Sequence, residues 1–273
     1  MKGTGTVLRV ELYKMIVRPR TWLIITVLTG LPVVVGILLK VTGVAPRPGT
    51  GPPLLAEVLS NGSLFPVAAL GLVLPLFLPV AVAMVGGEAV AGEAAGGTLR
   101  YLLIRPVSRG YLLLAKLATV SIFVVLAVVV IAAVGFIVGA SLFGVHPLAT
   151  VSGQTVPAQD ATLRIFVAVV FAMVSMLGVA AIALFASVLT DSPVGAGLGA
   201  IAVLVCSEVF DLLDAAAVLK PYLPTHYWLS FVDIFRFPIL WHNVARGFLI
   251  QAVYILIFLG AAWARFSTKD ITS

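Results

Sequence analysis

Six long, mostly apolar runs, each long enough to cross a bilayer as a helix, constrain this chain more than any other feature of its sequence. The hydrocarbon core of a bilayer is about 30 Å thick and needs roughly 20 residues at a rise of 1.5 Å per residue. Continuous runs of this length form helices rather than barrel strands. We therefore predict an all-α integral membrane protein, a single transmembrane domain over residues 1–273 with spans at residues 22–41, 64–86, 111–143, 163–189, 194–217 and 244–266.

The charged residues indicate topology. Only 10% of the residues are charged, against roughly 25% in an ordinary soluble domain. The net charge of +6 would suggest a nucleic-acid partner in a soluble protein, but here the basic residues flank apolar runs, so none is expected. Of the 17 Lys and Arg residues, eleven lie on the side of the two termini and six on the other. The positive-inside rule then places both termini in the cytoplasm, and we expect a multi-pass protein of a prokaryotic cytoplasmic membrane.

The segment before the first span, residues 6–20, has helical periodicity. At 100° per residue it separates into two faces, an apolar one with Leu8, Leu12, Met15 and Ile16 and a charged one with Glu11, Lys14 and Arg18. We interpret it as an amphipathic interfacial helix on the cytoplasmic leaflet, with Pro19 at the turn into the span. The alternative is a disordered basic lead that only sets the topology.

Three acidic residues at the end of the fifth span, Glu208, Asp211 and Asp214, lie near one helical face. Ionisable groups inside a membrane normally face protein or water, so these residues are candidates for the lining of an outward-facing pathway. The alternative is that the helix end already lies among the lipid headgroups. The aromatic segment that follows, residues 211–243, is too polar to span and is expected on the outer leaflet or outside.

Three prolines, Pro66, Pro75 and Pro79, interrupt the second span. Each removes one hydrogen bond of the helical ladder, so the span must kink or be supported by neighbouring helices. Such spans occur both in gated pathways and in static bundles.

The stretch GEAAGGTLRYLLIRPVSRG at residues 92–110 is not a nucleotide-binding loop. That loop requires a Lys after its second glycine and lies between a strand and a helix. Here Thr98 occupies the position of the Lys, and the preceding residues continue a membrane helix. The chain is therefore expected to have no ATPase site of its own.

The other residue types offer no recognisable chemistry. The three histidines, His146, His226 and His242, form no metal-binding pair of the H-x-x-x-H kind, and the single cysteine, Cys206, lies in an apolar run. No catalytic residue, metal site or cofactor of this chain is predicted, and the chain is not expected to be an enzyme.

Three motifs follow one another along the chain. The lead contains R-x-E-L-x-K at residues 9–14, the second span runs into E-x-x-x-G-T-L-R-x-L-L-x-R-P-V-S-R at residues 93–109, and Lys116 follows. In this order they resemble the type-2 permeases of ATP-binding-cassette (ABC) transporters. The resemblance covers most of the chain and indicates architecture rather than cargo.

The resemblance implies one half of a homodimeric, exporter-type membrane domain with six spans and an N-terminal elbow helix. Each copy would dock a cytoplasmic ABC ATPase subunit, which binds the ATP and Mg, through a coupling region at residues 92–110. The coupling residues would be Glu93, Gly97, Thr98, Leu99, Arg100, Arg105, Pro106 and Arg109, with Asp191 from the second cytoplasmic connection. The arginines suit an acidic partner surface. The alternative is that they serve topology and lipid phosphates.

The function expected from the sequence is therefore the permease subunit of an ATP-driven transporter that forms the pathway as a dimer. Two alternatives remain open. One is an ion-coupled secondary transporter that uses Glu208 and Asp211 as its coupling site. The other is a membrane assembly factor that transports nothing.

Overall fold

The computed structural model of the protein describes residues 4–44, 46, 52, 54–97, 109–146, 148–149, 155–236 and 238–268. Eight α-helices lie within these residues: α1 Thr4–Val17, α2 Pro19–Thr42, α3 Phe65–Val73, α4 Phe77–Ala95, α5 Arg109–Phe143, α6 Ala158–Leu189, α7 Pro193–Leu212 and α8 Trp241–Thr268. Short 3₁₀ turns cover Glu57–Leu59, Gly62–Leu64, Asp214–Ala216, Lys220–Tyr222 and Ser230–Phe235. A two-residue antiparallel pair joins β1 Leu148–Ala149 to β2 Thr155–Val156.

Six of these helices, α2 and α4 to α8, are long and apolar enough to cross a membrane. The prediction of an α-helical multi-pass membrane protein is therefore confirmed. Helix α5 has 35 residues and, at 1.5 Å per residue, is about 50 Å long. Because that length exceeds the bilayer core of about 30 Å, α5 must tilt or project beyond it.

Helices α4, α5 and α6 form the centre of the bundle. Helix α6 packs most extensively against α8 and α4, α4 also packs against α7, and α5 packs against α1, α2 and α3. The largest buried side chains in this core include Phe65, Phe123 and Phe171. Helices α2, α7 and α8 instead leave many large apolar side chains exposed, as expected for helices that face lipid.

The helix ends lie at two opposite ends of the bundle. At one, which we call the basic end, the starts of α2 and α5 meet the last turns of α4, α6 and α8. Lys14 contacts Glu93 there, and Phe266 packs with Leu112 and Val188. At the opposite end, the Asn61 side-chain amide donates to the carbonyl of His146 over 3.0 Å. The N-terminal helix and the end of the last helix therefore lie at the same end of the bundle.

The second span is a broken helix. Helix α3 ends at Val73 and α4 begins at Phe77, so the predicted span at residues 64–86 is two helices, and the second continues to Ala95. Pro75 lies in the break and has no N–H to continue the ladder. Pro66 and Pro79 lie in the first turns of α3 and α4, where the backbone N–H groups need no helical partner.

Small residues bring α4 close to its neighbours. A Cβ atom on Gly87 would lie 2.6 Å from the backbone nitrogen of Gly197 in α7, and one on Gly86 would lie 2.8 Å from the Cβ of Ala183 in α6. Any larger side chain at these two positions would push the helices apart. Small residues allow such close backbone approach in membrane bundles, where packing drives helix association.

Ser187 of α6 reinforces this contact with hydrogen bonds. Its hydroxyl donates to the carbonyl of Gly87 over 2.6 Å and accepts from the backbone N–H groups of Val90 and Ala91, each over 2.9 Å. The serine is fully buried. One side chain of α6 is therefore hydrogen-bonded to three backbone groups of α4, which fixes the part of α4 that leads to the basic end.

We expect Ser187→Ala to lower the free energy of unfolding by about 1–3 kcal/mol, because buried backbone groups lose an interhelical partner. Ser175→Ala is the matched control, since Ser175 is also buried in α6 but its hydroxyl donates only to Phe171 of the same helix. Unfolding titrations in mixed micelles would measure both variants. Equal losses in the two variants would contradict a special role for Ser187.

Candidate functional site

Four charged side chains meet at the basic end and form what we call the quartet: Glu11, Lys14, Glu93 and Lys116. Lys116 Nζ lies 2.8 Å from Glu93 Oε2 and 3.6 Å from Glu11 Oε2. Lys14 Nζ lies 2.8 Å from Glu11 Oε1 and 3.4 Å from Glu93 Oε1. Each lysine therefore contacts both carboxylates, and the quartet joins α1, α4 and α5.

The quartet is buried deeply enough for its charges to depend on one another. The side chain of Lys116 is 1% exposed, those of Glu11 and Glu93 are 12% and 14% exposed, and Lys14 at the outer side is 40% exposed. Removing such charges from water costs several kcal/mol per ion unless they are paired. Two ammonium groups and two carboxylates balance one another, so no net charge is buried.

The quartet also determines which side of α1 packs against the bundle. Glu11 and Lys14, predicted on the charged face, contact α5 and α4, and Glu11 lies one helical turn before the buried Met15. Ile16, predicted on the apolar face of an interfacial helix, is exposed together with Tyr13. Because the buried ammonium of Lys116 requires carboxylates, Glu11 lies toward the bundle.

Burial and pairing act in opposite directions on the two ionisable groups of α1. Burial disfavours the charged form of Glu11, but Lys116 and Lys14 outweigh it and hold the pKa of this carboxyl below its ordinary value. Burial also disfavours the charged form of Lys14, but Glu11 and Glu93 outweigh it and raise the pKa of this ammonium. Both groups are therefore charged at neutral pH.

A second charged group, which we call the arginine pair, lies beside the quartet. Arg18 Nη1 and Arg20 Nη1 lie 3.5 Å and 2.6 Å from the two oxygens of Glu88. Arg18 precedes Pro19 at the start of α2, and its extended backbone turns the chain from α1 into the span. A cavity of about 360 Å³ between α1, α2, α4 and α5 opens onto the arginine pair and the quartet.

The coupling residues predicted at 92–110 are described only in part. Glu93 lies in the last turn of α4 and belongs to the quartet. Gly97, the last described residue before the connection, has a φ of +66°, a conformation that glycine adopts readily. Thr98, Leu99, Arg100, Arg105 and Pro106 lie outside the described residues, as does the side chain of Arg109, the first residue of α5. Asp191 is exposed in the short connection from α6 to α7.

The three predicted pathway residues lie at the opposite end, two of them on α7 and Asp214 beyond its end. Helix α7 ends at Leu212 rather than at residue 217. Asp214 is therefore not in the span, and its fully exposed carboxylate lies 3.7 Å from Lys220. Asp211 pairs with Nδ1 of His226, and Glu208, exposed on α7, accepts a hydrogen bond from the Thr225 side chain near Asp211 and His226. The helix ends where the backbone of Leu213 becomes extended, so Asp214 lies in the 3₁₀ turn that follows.

The same end contains other paired polar groups. Asp233 accepts from Asn243 over 2.9 Å and pairs with Arg236 over 3.1 Å. The Ser207 and Thr225 hydroxyls lie 2.7 Å apart. Within the described part of the chain, no three His, Cys, Asp or Glu side chains lie close enough together to hold a metal ion.

Three residues of the basic end were not predicted as site residues: Arg20, Glu88 and Lys116. A partial signal was present for Lys116, because a lysine inside a predicted span either pairs with another group or extends to the membrane interface. Glu88 lies two residues beyond the predicted end of the second span at residue 86, and no role was predicted for it. Nothing in the local sequence pairs Arg20 with a residue 68 positions away.

A family model described as "Protein of unknown function (DUF2705)" matches residues 59–272, more than three quarters of the chain. The chain belongs to the DUF2705 family. No curated protein matches the chain. The match includes α3 to α8 and therefore Glu88, Glu93 and Lys116, whereas their partners on α1 and α2 precede it.

The assignment to the type-2 ABC permeases is therefore wrong, because the family that matches this DUF2705 protein is a different one. The error has a physical origin. Glycines that end a membrane helix, followed by a cap and several arginines, meet the general requirements of a short cytoplasmic connection. That pattern does not distinguish one membrane family from another.

We expect Lys116→Met to destabilise the protein by about 3 kcal/mol, because it leaves a surplus carboxylate in the buried quartet. The double variant Lys116→Met with Glu93→Gln should recover part of this loss, since the remaining pair of Glu11 and Lys14 is again neutral. Unfolding titrations would measure both.

Lys220→Met is the control for the loss of a lysine. Its partner Asp214 is fully exposed and 3.7 Å away, so we expect a change within about 0.5 kcal/mol. A loss in Lys116→Met no larger than that in Lys220→Met would contradict the importance of the quartet.

The pKa directions predict that the contact between α1 and α5 weakens at acid pH. The lowered pKa of Glu11 means that its stabilising effect is present at neutral pH and is lost as the pH falls through that pKa, below the ordinary value of about 4.3. The raised pKa of Lys14 matters only above the ordinary lysine value of about 10.4. We therefore expect the contact between α1 and α5 to loosen at acid pH and to persist through neutral pH.

Spin labels at two exposed positions, Tyr13→Cys and Leu114→Cys in a Cys206→Ser background, would report the distance from α1 to α5. The distance distribution should broaden in acid, and Glu11→Gln should remove part of the pH dependence. Labels at the exposed Phe166 and Leu249 on α6 and α8 control for global unfolding. An acid-insensitive distance from α1 to α5 would contradict the prediction.

Proposed function

We propose that this chain is the membrane-spanning subunit of a transport system that is driven by a separate cytoplasmic ATPase. The proposal no longer uses the ABC family assignment. It depends on one observation, that the quartet joins α1 to the two helices that flank the connection at residues 98–108.

The geometry supports transmission of force. Glu93 is four residues before Gly97 at the end of α4, and Lys116 lies in the second turn of α5. Because Lys116 and Glu93 pair over 2.8 Å, both ends of the connection belong to one charge-paired unit. A partner that displaced the connection would therefore move α4, α5 and α1 together.

The fold offers a place where such a movement could act. Helix α4 packs closely against α6 and α7, whereas α3 packs against α5, and the break around Pro75 separates the two halves of the span. A change in the position of α4 could therefore be taken up at this break rather than by bending a continuous helix. Broken membrane helices are common where transporters line a pathway.

The proposal also includes an orientation of the chain in the membrane and a docking surface for the ATPase. The basic end is the cytoplasmic side by the positive-inside rule, so both termini and the connection lie in the cytoplasm of a prokaryotic cell. Arg100, Arg105 and Arg109 would contact an acidic surface of the ATPase. Two copies of this chain, each with one ATPase, would enclose the pathway and export the substrate.

We expect the combined change of Arg100, Arg105 and Arg109 to Glu to release or uncouple the ATPase while the chain still inserts, because reversed charges repel an acidic surface. The wild-type chain should purify from native membranes together with an ATPase subunit. The rate of ATP hydrolysis by that subunit should change when the chain is absent. Co-purification and ATP hydrolysis in reconstituted vesicles would measure the loss in the variant.

The matched control replaces two exposed cations of the opposite end, Lys40 and Arg246, by Glu. This variant should keep the ATPase. Coupled activity that survives the triple change would refute the docking role of the connection. Transport that needs an ion gradient and no ATPase would instead favour the ion-coupled alternative.

A further inference from the structure

We propose that the cavity beside the arginine pair binds the phosphate group of a membrane phospholipid, with Arg18 and Arg20 as its ligands. This inference is independent of the proposed transport function. It depends on the charge balance at the basic end, on unused hydrogen-bond donors and on the amphipathic walls of the cavity.

Among the described side chains that line the cavity, the surplus positive charge lies at the arginine pair. The quartet contains two cations and two anions and is neutral, whereas in the described part of the chain the two arginines share one anion, Glu88. The group formed by Arg18, Arg20 and Glu88 therefore has a net charge of +1. An anion that enters the cavity would be attracted to this group rather than to the quartet.

The two guanidinium groups also have hydrogen-bond donors to spare. A guanidinium has five N–H donors, and in the described part of the chain Arg18 and Arg20 each use Nη1 on Glu88. Their side chains are 56% and 47% exposed, so the remaining donors are accessible. Arginine forks match the geometry of phosphate oxygens, which can accept two parallel hydrogen bonds.

The cavity itself suits an amphipathic ligand. Its charged part is formed by the arginine pair and the quartet, and its remaining walls include Ile24 of α2, Val85 of α4 and Val120 of α5. A free ion would leave this apolar wall unfilled, whereas the glycerol and the first methylene groups of a lipid would cover it. Burial of each methylene is worth about 0.8 kcal/mol.

The surroundings place the cavity at the level of lipid headgroups. Trp22 is exposed two residues after Arg20, and its indole N–H donates to the carbonyl of Ile16 over 2.7 Å. Tryptophan is enriched at the boundary between lipid and water. The outward face of α1 is apolar and exposed at Val10, Tyr13 and Ile16, so acyl chains can lie against it while the headgroup reaches the arginines.

The test compares three probes on the full-length protein in an uncharged detergent. They are dioctanoyl phosphatidylglycerol, dioctanoylglycerol, which has no phosphate, and inorganic phosphate. We expect only phosphatidylglycerol to raise the midpoint of thermal unfolding in a saturable way. An equal effect of dioctanoylglycerol would overturn the phosphate site, and an equal effect of inorganic phosphate would overturn the lipid as its source.

Two variants should change the affinity in opposite directions. The double variant Arg18→Gln with Arg20→Gln should weaken phosphatidylglycerol binding at least about tenfold, because charge-assisted hydrogen bonds are lost. Glu88→Gln should tighten it by about threefold or more, because it removes the competing anion. Tighter binding in Glu88→Gln cannot result from damage to the fold, so the proposal stays testable if the double arginine variant is unstable.

The matched control is Lys40→Gln with Arg246→Gln, two exposed cations of the opposite end. It should bind phosphatidylglycerol as the wild type does. Unchanged affinity in the Arg18 and Arg20 variant, or weaker binding in Glu88→Gln, would refute the site.

Discussion

The ammonium group of Lys116 is the constraint on which the basic end of the structure depends. It is placed in the second turn of a membrane helix and is almost completely shielded from solvent, where a lone charge would be very unfavourable. Glu93 of α4 and Glu11 of α1 supply the compensating charge. Lys14 then prevents the two carboxylates from leaving a net negative charge in the same place.

This arrangement explains how α1 packs against the bundle with charged side chains on the same side as the buried Met15. The helix brings its own neutral pair, Glu11 and Lys14, so its packing changes no net charge at the contact. Each member of that pair also contacts a charge on another helix. The charges therefore determine the rotation of α1 about its axis, and its apolar outer face is left for lipid.

The helices of the fold could be predicted from sequence because they follow from single, local rules. Long apolar runs predicted the six helices that are long enough to cross a membrane, and the three prolines of the second span predicted a kink or support by neighbouring helices, although not which proline lies in the break. The contacts of α1 could not be predicted, because periodicity contains no information about Lys116, 105 positions away from Glu11. A periodicity rule describes one helix, whereas the quartet belongs to three.

The hydrogen bonds of Ser187 were inaccessible to sequence reasoning for a related reason. A serine in an apolar helix commonly bonds to its own backbone, as Ser175 does in α6. Only the close approach of α4, which Gly86 and Gly87 allow, lets the hydroxyl of Ser187 reach three backbone groups of another helix. The family assignment failed differently, because glycines and arginines at a helix end satisfy requirements that many membrane proteins share.

Burial separates the charges that line the cavity into two groups with different physical roles. The quartet is electrically balanced and three of its four side chains are buried, so its ion pairs are poorly screened by salt and join three helices. The arginine pair is about half exposed and unbalanced, so its interactions are weaker and its unused donors remain available. A ligand that bound to the quartet would have to break buried ion pairs, whereas one that binds to the arginine pair completes a charge balance that the protein leaves open. The cavity therefore favours anions on the side of α2, and the position of that helix start at the lipid headgroups favours a phosphate that is attached to a lipid.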